Sequence, residues 1–149
     1  MERAQQLHGE GRIDEALAEL AASLEARPLN TAARLRLAQL HAARGSREAA
    51  LSVLGAGREL EPARADLALL EARLLAEAQQ PDQALASLDS IPAEARGAEF
   101  HALHAALFAA QGAHTRAIEA FSAALRLEPR RGPAWLGLAI SLEAENRAP

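Results

Sequence analysis

A spacing of 34 residues recurs along this chain and constrains its fold more than any other feature. The stretches GRIDEALAELAASLEARP, GSREAALSVLGAGRELEP and GAHTRAIEAFSAALRLEP begin at positions 11, 45 and 112. The first two starts lie 34 residues apart and the last two 67 apart, which leaves room for one repeat of 34 and one of 33. The missing member is QPDQALASLDSIPAEARG, at 80–97. Internal repeats of this length predict stacked copies of one supersecondary unit.

Each repeat predicts a pair of antiparallel helices. Half of the residues are hydrophobic but only 3% are aromatic, so Ala and Leu must build most of the core, and both are strong helix formers. A glycine at each repeat start permits the left-handed backbone that ends a helix in a sharp reversal. These glycines are Gly11, Gly45 and Gly112. The second helix of each pair then carries a small position, Ala16, Ala50, Ala84 and Ala117, and a large one, Leu20, Leu54, Leu88 and Phe121.

This pattern resembles the tetratricopeptide repeat, a helix-turn-helix of 34 residues with small residues on both helices and a closing Pro. The resemblance covers nearly the whole chain. It implies an all-α fold, a right-handed superhelical α-solenoid of antiparallel helix pairs, each formed by a helix A and a helix B. The small helix-A position is then Ala38, Ala72, Ala105 and Ala139, and Trp135 matches the family's Trp near the start of helix A.

In that frame the chain is a single array over 1–149. Its parts are a partial repeat at 1–28 with a truncated helix A, repeats at 31–64, 65–97 and 98–131, and a half-repeat at 132–149. We expect helices at 2–9, 12–26, 30–44, 46–60, 63–79, 82–90, 95–111, 114–127 and 131–146. In the last of these, Trp135, Leu138, Ala139 and Leu142 are expected to pack back on the preceding helix B.

The third repeat departs from the pattern. Gln79 and Gln80 replace the turn glycine, Pro81 opens helix B, and Pro92 cuts that helix short. We expect a local irregularity with a loop near 91–97. The loop either bends the array or contacts a partner, or it is a tolerated deletion on the convex side.

Composition and motifs argue against several function classes. The net charge of −4 does not predict a surface that follows a nucleic-acid backbone. Because the chain has no Cys, disulfides and thiolate sites are excluded. No apolar run is long enough for a membrane span, and no nucleotide-binding glycine loop or nucleophile elbow is present. We therefore expect no cofactor and no enzymatic activity, and the compartment stays open between cytoplasm and periplasm.

One histidine pair is the only candidate for a chemical site. His101 and His104 lie three residues apart on one helix face, so they could share a metal ion, with Glu99 as a possible third ligand. In the repeat frame, however, both residues take positions where other repeats carry packing side chains. We favour the packing interpretation.

The resemblance also implies where a partner binds, because the family holds peptides or partner helices in the concave groove that its A helices line. The groove residues so predicted are Leu35, Gln39, Leu69, Arg73, Ala102, Ala106, Leu136 and Ile140. Arg73 is the only clear cation among them, so the carboxylate clamp that some members use for chaperone tails is not expected. This groove predicts an extended or helical partner segment that presents Leu, Val or Phe. The alternative is that these small residues only allow tight packing.

Three functions are compatible with such an array. The first is a scaffold within a larger bacterial assembly protein for pilus biogenesis, secretion or export, since PAWLGLAISLEAENR is similar to repeats of pilus-biogenesis proteins of the mannose-sensitive haemagglutinin type. The second is a self-association module that forms a homodimer through the exposed face of the helix at 131–146. The third is a regulatory domain of a fused enzyme.

Overall fold

The structure is a computed structural model that describes residues 2–4 and 11–147. These residues form helices and no strand, which confirms the all-α class. The helices are α1 (Ile13–Ala26), α2 (Thr31–Ala43), α3 (Arg47–Leu60), α4 (Ala65–Glu77), α5 (Pro81–Asp89), α6 (Ala98–Ala110), α7 (His114–Leu127) and α8 (Gly132–Asn146). Residues 2–4 are also helical, and most of the helix predicted at 2–9 lies outside the described residues.

Two helices begin two or three residues later than the sequence predicts. The helix expected from position 63 begins at Ala65, and the helix expected from position 95 begins at Ala98. In the second case Gly97 has an extended backbone, so no helix can run through it, and Ala93–Ala95 forms a separate 3-10 turn. The loop predicted near 91–97 is therefore partly ordered by a turn of its own.

The turns between paired helices follow one hydrogen-bonding scheme. Gly45 and Gly112 have φ of +78° and +77°. After α2, the Gly45 N–H donates to Ala42 O at 2.9 Å and the Ser46 N–H donates to His41 O at 2.8 Å. This pair of bonds is the Schellman motif, which closes a helix with a left-handed residue. It reverses the chain within three residues and sets α2 beside α3.

The third repeat makes the same turn without glycine. Gln79 has φ of +60°, its N–H donates to Ala76 O at 3.1 Å, and the Gln80 N–H donates to Leu75 O at 2.9 Å. Pro81 then opens α5, as predicted. The left-handed conformation is unfavourable for a residue with a Cβ atom, so this turn carries backbone strain that the glycine turns avoid.

Replacing Gln79 with glycine is expected to raise the free energy of unfolding by about 1 kcal/mol, because the left-handed residue would lose its Cβ penalty. The reciprocal change, Gly45→Gln, should lower it by a similar amount. Urea unfolding of both variants checks the prediction. Shifts of the same sign in the two variants, or a loss of stability in Gln79→Gly, would show that the turn geometry does not determine their stability.

The chain divides into two compact units, Met1–Leu74 and Leu75–Pro149. In the first unit, α1 packs on α2 through a buried cluster, and α2 packs on α3 and α4 through a second cluster. The first cluster contains Ala4, Ala16, Leu20, Ala33, Leu37 and Leu40. The second contains Ala38, Ala50, Leu54, Leu67, Leu70 and Leu74. The predicted small and large positions of helix B therefore lie in the core, as the repeat frame requires.

In the second unit, α6, α7 and α8 share one core. Its buried residues are Ala105, Ala117, Ala120, Phe121, Leu125 and Ala134. The helix contacts follow the order of the chain, α6 with α7 and α7 with α8, and α6 also contacts α8 directly. Two successive A helices are therefore neighbours, with α7 packed against both of them.

The prediction for the packing face of α8 was largely wrong. Leu138 does pack on the core of the second unit, but with Ala134 and the buried Ser141 beside it. Trp135 and Leu142 are 53% and 45% exposed, and Ala139 is exposed too. In earlier A helices the equivalent alanines are covered by the helix B that follows, whereas the preceding helix B, α7, contacts a different face. The prediction therefore assigned Trp135, Ala139 and Leu142 to the face of α8 that contacts α7, although they lie on a different face.

Candidate partner-binding surface

In the first unit, the predicted groove residues lie on α2 and α4, and none is fully buried. Gln39 and Arg73 are exposed, while Leu35 and Leu69 are half-buried. Leu35 also packs against the cluster that contains Leu70 of α4. Its side chain therefore serves the core as well as the surface, so in this unit Gln39, Leu69 and Arg73 offer most of the contact area.

In the second unit, the predicted residues lie on the neighbouring helices α6 and α8. Ala106, Leu136 and Ile140 are exposed, and Ala102 is half-buried. Leu136 and Ile140 are among the most exposed large hydrophobic residues of the described chain. Apolar side chains that stay in water at this density are typical of interaction surfaces.

A cavity of about 210 Å³ opens beside Ala106, one of the predicted groove residues. Its lining is Ala76, Gln79, Pro81, Leu103, Ala106, Leu107, Ala110 and Gln111. Six of these lining residues are apolar, and the other two are glutamines, which carry amide groups. The Nε2 of Gln111 donates to Asp82 Oδ1 at 3.3 Å, which ties one amide to α5. The cavity can take an apolar side chain while an amide pairs with its backbone.

The sequence interpretation missed several residues of this cavity. Leu103, Leu107 and Ala110 recur on α6 with the three- and four-residue spacing of one helix face, so the period itself could have found them. Gln79 and Gln111 were not foreseen, because their place depends on the strained turn and on the bond to Asp82. A wider hollow at the α7–α8 turn contains none of the predicted groove residues.

His101 and His104 lie in an aromatic cluster on α6. The His104 ring is 4.4 Å from the Phe108 ring and 5.2 Å from the Phe100 ring, centroid to centroid, and His101 meets Phe100 edge-on at 5.1 Å. The Arg96 guanidinium lies 4.8 Å above the Phe100 ring. These contacts support the packing interpretation. Within residues 2–4 and 11–147, no group of three or more His, Asp or Glu side chains is arranged to hold a metal ion.

Burial lowers the pKa of both histidines below the ordinary value of 6.5, and the positive charge of Arg96 lowers it further. For His104, Asp89 opposes this shift but does not outweigh it. The folded state therefore favours the neutral imidazole more than the unfolded chain does. Since the unfolded chain binds these protons more readily, the fold loses stability as the pH falls below 6.5.

We expect the pH dependence to weaken in His104→Gln. The wild-type protein should unfold at a lower temperature at about pH 5 than at about pH 7.5, and the variant should show a smaller fall, because it has one half-buried titrating group fewer. Thermal unfolding at the two pH values measures the difference. An unchanged fall would mean that other groups control the acid sensitivity.

The sequence matches the tetratricopeptide-repeat family twice, over residues 7–63 and 45–107, which together span more than half of the chain. The chain is a tetratricopeptide-repeat protein. Among curated proteins, none matches its sequence. The family is generally a non-catalytic protein-interaction fold, so the chain has the architecture of a protein-binding scaffold.

Solved structures with the same fold share little sequence with this tetratricopeptide array. MamA from Desulfovibrio magneticus RS-1 aligns over 97% of this chain and 82% of its own, with 19% identity and a TM-score of 0.83. PilW, a type IV pilus biogenesis factor, aligns over 97% and 68%, with 19% identity and a TM-score of 0.82. YrrB, a tetratricopeptide protein with an unusual peptide-binding site, aligns over 97% and 75%, with 19% identity and a TM-score of 0.75. At this identity the likeness establishes the fold alone.

Among the helices that the structure describes in this tetratricopeptide array, none combines the length and the apolar character that a membrane span needs.

Proposed function

We propose that this chain is a non-catalytic scaffold that holds an apolar segment of a partner protein against the A helices of a unit, α2 and α4 in the first unit and α6 and α8 in the second. The segment is an extended peptide or a helix that presents Leu, Val or Phe. The residues assigned to the contact are Leu35, Gln39, Leu69, Arg73, Ala102, Ala106, Leu136 and Ile140. No nucleic acid, cofactor or metal enters this proposal.

The observation that carries the proposal is the cavity beside Ala106. Its volume of about 210 Å³ is enough for one aliphatic or aromatic side chain. Burying such a side chain contributes roughly 1.5–3 kcal/mol to binding. The amides of Gln79 and Gln111 among its lining residues can pair with a peptide backbone, whose polar groups must be satisfied once they leave water. An apolar floor with a few polar groups is the usual composition of a peptide pocket.

Charge on the proposed contact surface is sparse, which argues for apolar recognition. Arg73 is the only cation among the assigned residues, and the chain contains no lysine. A partner that depended on a terminal carboxylate would need several converging cations or amides. The partner segment is therefore bound by its apolar side chains. We expect its affinity to change little with the salt concentration.

Two structural neighbours support the proposed role. PilW is described as a type IV pilus biogenesis factor, and YrrB as a tetratricopeptide protein with an unusual peptide-binding site. These descriptions support the proposal that the chain belongs to a larger bacterial assembly protein for pilus biogenesis, secretion or export. Both the cytoplasm and the periplasm are compatible with this placement.

Peptides selected from a displayed library on the wild-type chain test the proposal. Binding should favour peptides with Leu, Val or Phe, and Ala106→Arg should weaken it at least tenfold, a loss of about 1.4 kcal/mol, because the new side chain fills the cavity. Leu69→Glu should weaken the binding of peptides that contact α4, and Ile140→Glu the binding of peptides that contact α8. All three positions are exposed or half-buried, so the helical circular dichroism should stay unchanged.

The matched control is Ala18→Arg, which changes an exposed helical alanine of α1, a B helix. Its affinity for the same peptides should equal that of the wild-type chain. If Ala106→Arg and Ala18→Arg bind alike, the peptide does not use the cavity, and the proposed contact surface is wrong.

A further inference from the structure

Helix α8 has three faces with different surroundings. One face packs on the core through Ala134 and Leu138. A second carries the proposed groove residues Leu136 and Ile140. Trp135, Ala139 and Leu142 form a third, which we call the end face. At 3.6 residues per turn, the end face lies about 110° around the helix from the groove residues. The two exposed faces can therefore be altered independently.

The rest of the array shows what kind of element the end face is shaped to meet. Ala38, the equivalent of Ala139 in α2, is fully buried in a cluster with Ala50 and Leu54 of α3. Ala105, the equivalent in α6, is fully buried in a cluster with Phe121 of α7. In both repeats another helix covers this alanine. An exposed face with the same small residue at its centre is therefore suited to a helix.

The end face is complementary to itself when two copies run antiparallel. Ala139 lies at the middle of α8, with a large side chain about one turn away on each side, Trp135 and Leu142. A two-fold axis at Ala139 brings the two small residues together, which lets the helix axes approach to about 8 Å. The same axis sets each Trp135 over Leu142 of the second copy. The Trp135 ring is held in place because its Nε1 donates to Pro129 O at 2.8 Å.

Charge along α8 favours the same orientation. The segment that enters the helix, 128–131, contains one Glu and two Arg, whereas its last segment, 143–147, contains two Glu and one Arg. An antiparallel pair brings the positive end of each helix to the negative end of the other. The two helix dipoles then also oppose each other favourably. A parallel pair would bring like charges together at both ends.

We propose that the end face of α8 is a self-association surface, on which a second copy of this chain docks its own α8 antiparallel, with the two-fold axis at Ala139. This goes beyond the proposed scaffold function, because Leu136 and Ile140 remain free for a partner segment in the dimer. The face is one helix wide and about 22 Å long, so the area that it can bury is smaller than the roughly 800 Å² that each partner buries in a standard interface. The dimer is therefore expected to be weak.

Sedimentation equilibrium of the full chain tests the surface. The wild-type chain should shift from monomer to dimer between about 1 and 500 µM, and Ala139→Arg should weaken the dimer at least tenfold, because it sets two cations against each other across the axis. Ala18→Arg, an exposed helical alanine elsewhere, should dimerise like the wild-type chain. A wild-type chain that stays monomeric throughout, or a dimer that Ala139→Arg leaves unchanged, overturns the proposal.

A single cysteine tests the orientation, since the chain has none of its own. In Ala139→Cys the axis places the two thiols within the range that a disulfide spans. Oxidation should therefore link this variant at least about tenfold faster than Ala18→Cys, because the dimer raises the effective concentration of one thiol at the other. Equal rates for the two variants would contradict an axis at Ala139, whatever the oligomeric state.

Discussion

Replacing Gly57 with alanine is expected to lower the free energy of unfolding by about 3 kcal/mol, although alanine favours a helix by about 1 kcal/mol over glycine. Gly57 is buried on α3, and a Cβ atom there would lie 2.7 Å from Nε of Arg34 and 3.1 Å from Cδ1 of Leu67. The Arg34 side chain must move to admit the methyl group.

Moving the Arg34 side chain lowers the stability of the fold. It is 7% exposed, and its guanidinium donates from Nη2 to Pro28 O at 2.8 Å and from Nη1 to Val53 O at 3.0 Å. Breaking these bonds leaves two carbonyls and a cation without their partners in a low-dielectric site, and each unsatisfied group costs about 1–3 kcal/mol. The expected loss follows from this cost together with the overpacking at Leu67.

Gly55→Ala is the matched control, on the same helix two residues away. A Cβ atom at Gly55 would meet nothing within 4 Å, so this variant should be more stable than the wild-type chain by up to about 1 kcal/mol. Urea unfolding of both variants measures the difference. If Gly57→Ala is as stable as Gly55→Ala, the buried arginine does not require the glycine.

Gly137→Ala is expected to cost about 2 kcal/mol by separating α8 from α7. A Cβ atom at Gly137 would lie 2.6 Å and 2.8 Å from ring atoms of Phe121, which is buried in the core of the second unit. A buried phenylalanine ring is rigid and has few alternative conformations in which it would avoid the added methyl group. The helix that moves away carries Leu136 and Ile140, so peptide binding that uses those residues should weaken as well.

Shortening the opposing side chain checks this cause. In Phe121→Leu the ring atoms nearest to Gly137 are absent, so Gly137→Ala should cost less in that background than in the wild-type chain. A double-mutant cycle measured by thermal unfolding gives the coupling, which we expect to exceed about 1 kcal/mol. If the effects of the two substitutions are additive, the cost of Gly137→Ala does not arise from contact with the Phe121 ring.

The repeat spacing was sufficient to predict the helix-B core. Ala16, Ala50, Ala84 and Ala117 are all fully buried, as are Leu20, Leu54 and Leu88, while Phe121 is 5% exposed. A small residue followed four positions later by a large one is a local pattern that stacking alone explains. The start of α6 at Ala98 was predicted less well, because the spacing of the hydrophobic residues does not reveal the extended backbone of Gly97.

Interactions specific to one repeat could not be predicted. Arg34 takes a position where an apolar side chain is expected, and only the contact with Gly57 and two backbone carbonyls shows why a cation is tolerated there. The cavity beside Ala106 likewise depends on Gln79, whose left-handed backbone departs from the glycine rule of the family. A repeat pattern describes what the copies share, and these features distinguish one copy from the next.

The central claim is that the A helices hold an apolar partner segment. Titrating the isotope-labelled chain with the tightest-binding selected peptide and following its amide resonances tests this directly. The claim predicts that the largest shifts fall on the A helices, with Leu103, Ala106 and Ala110 of α6 among them. Shifts confined to the B helices α1, α3, α5 and α7 would contradict it.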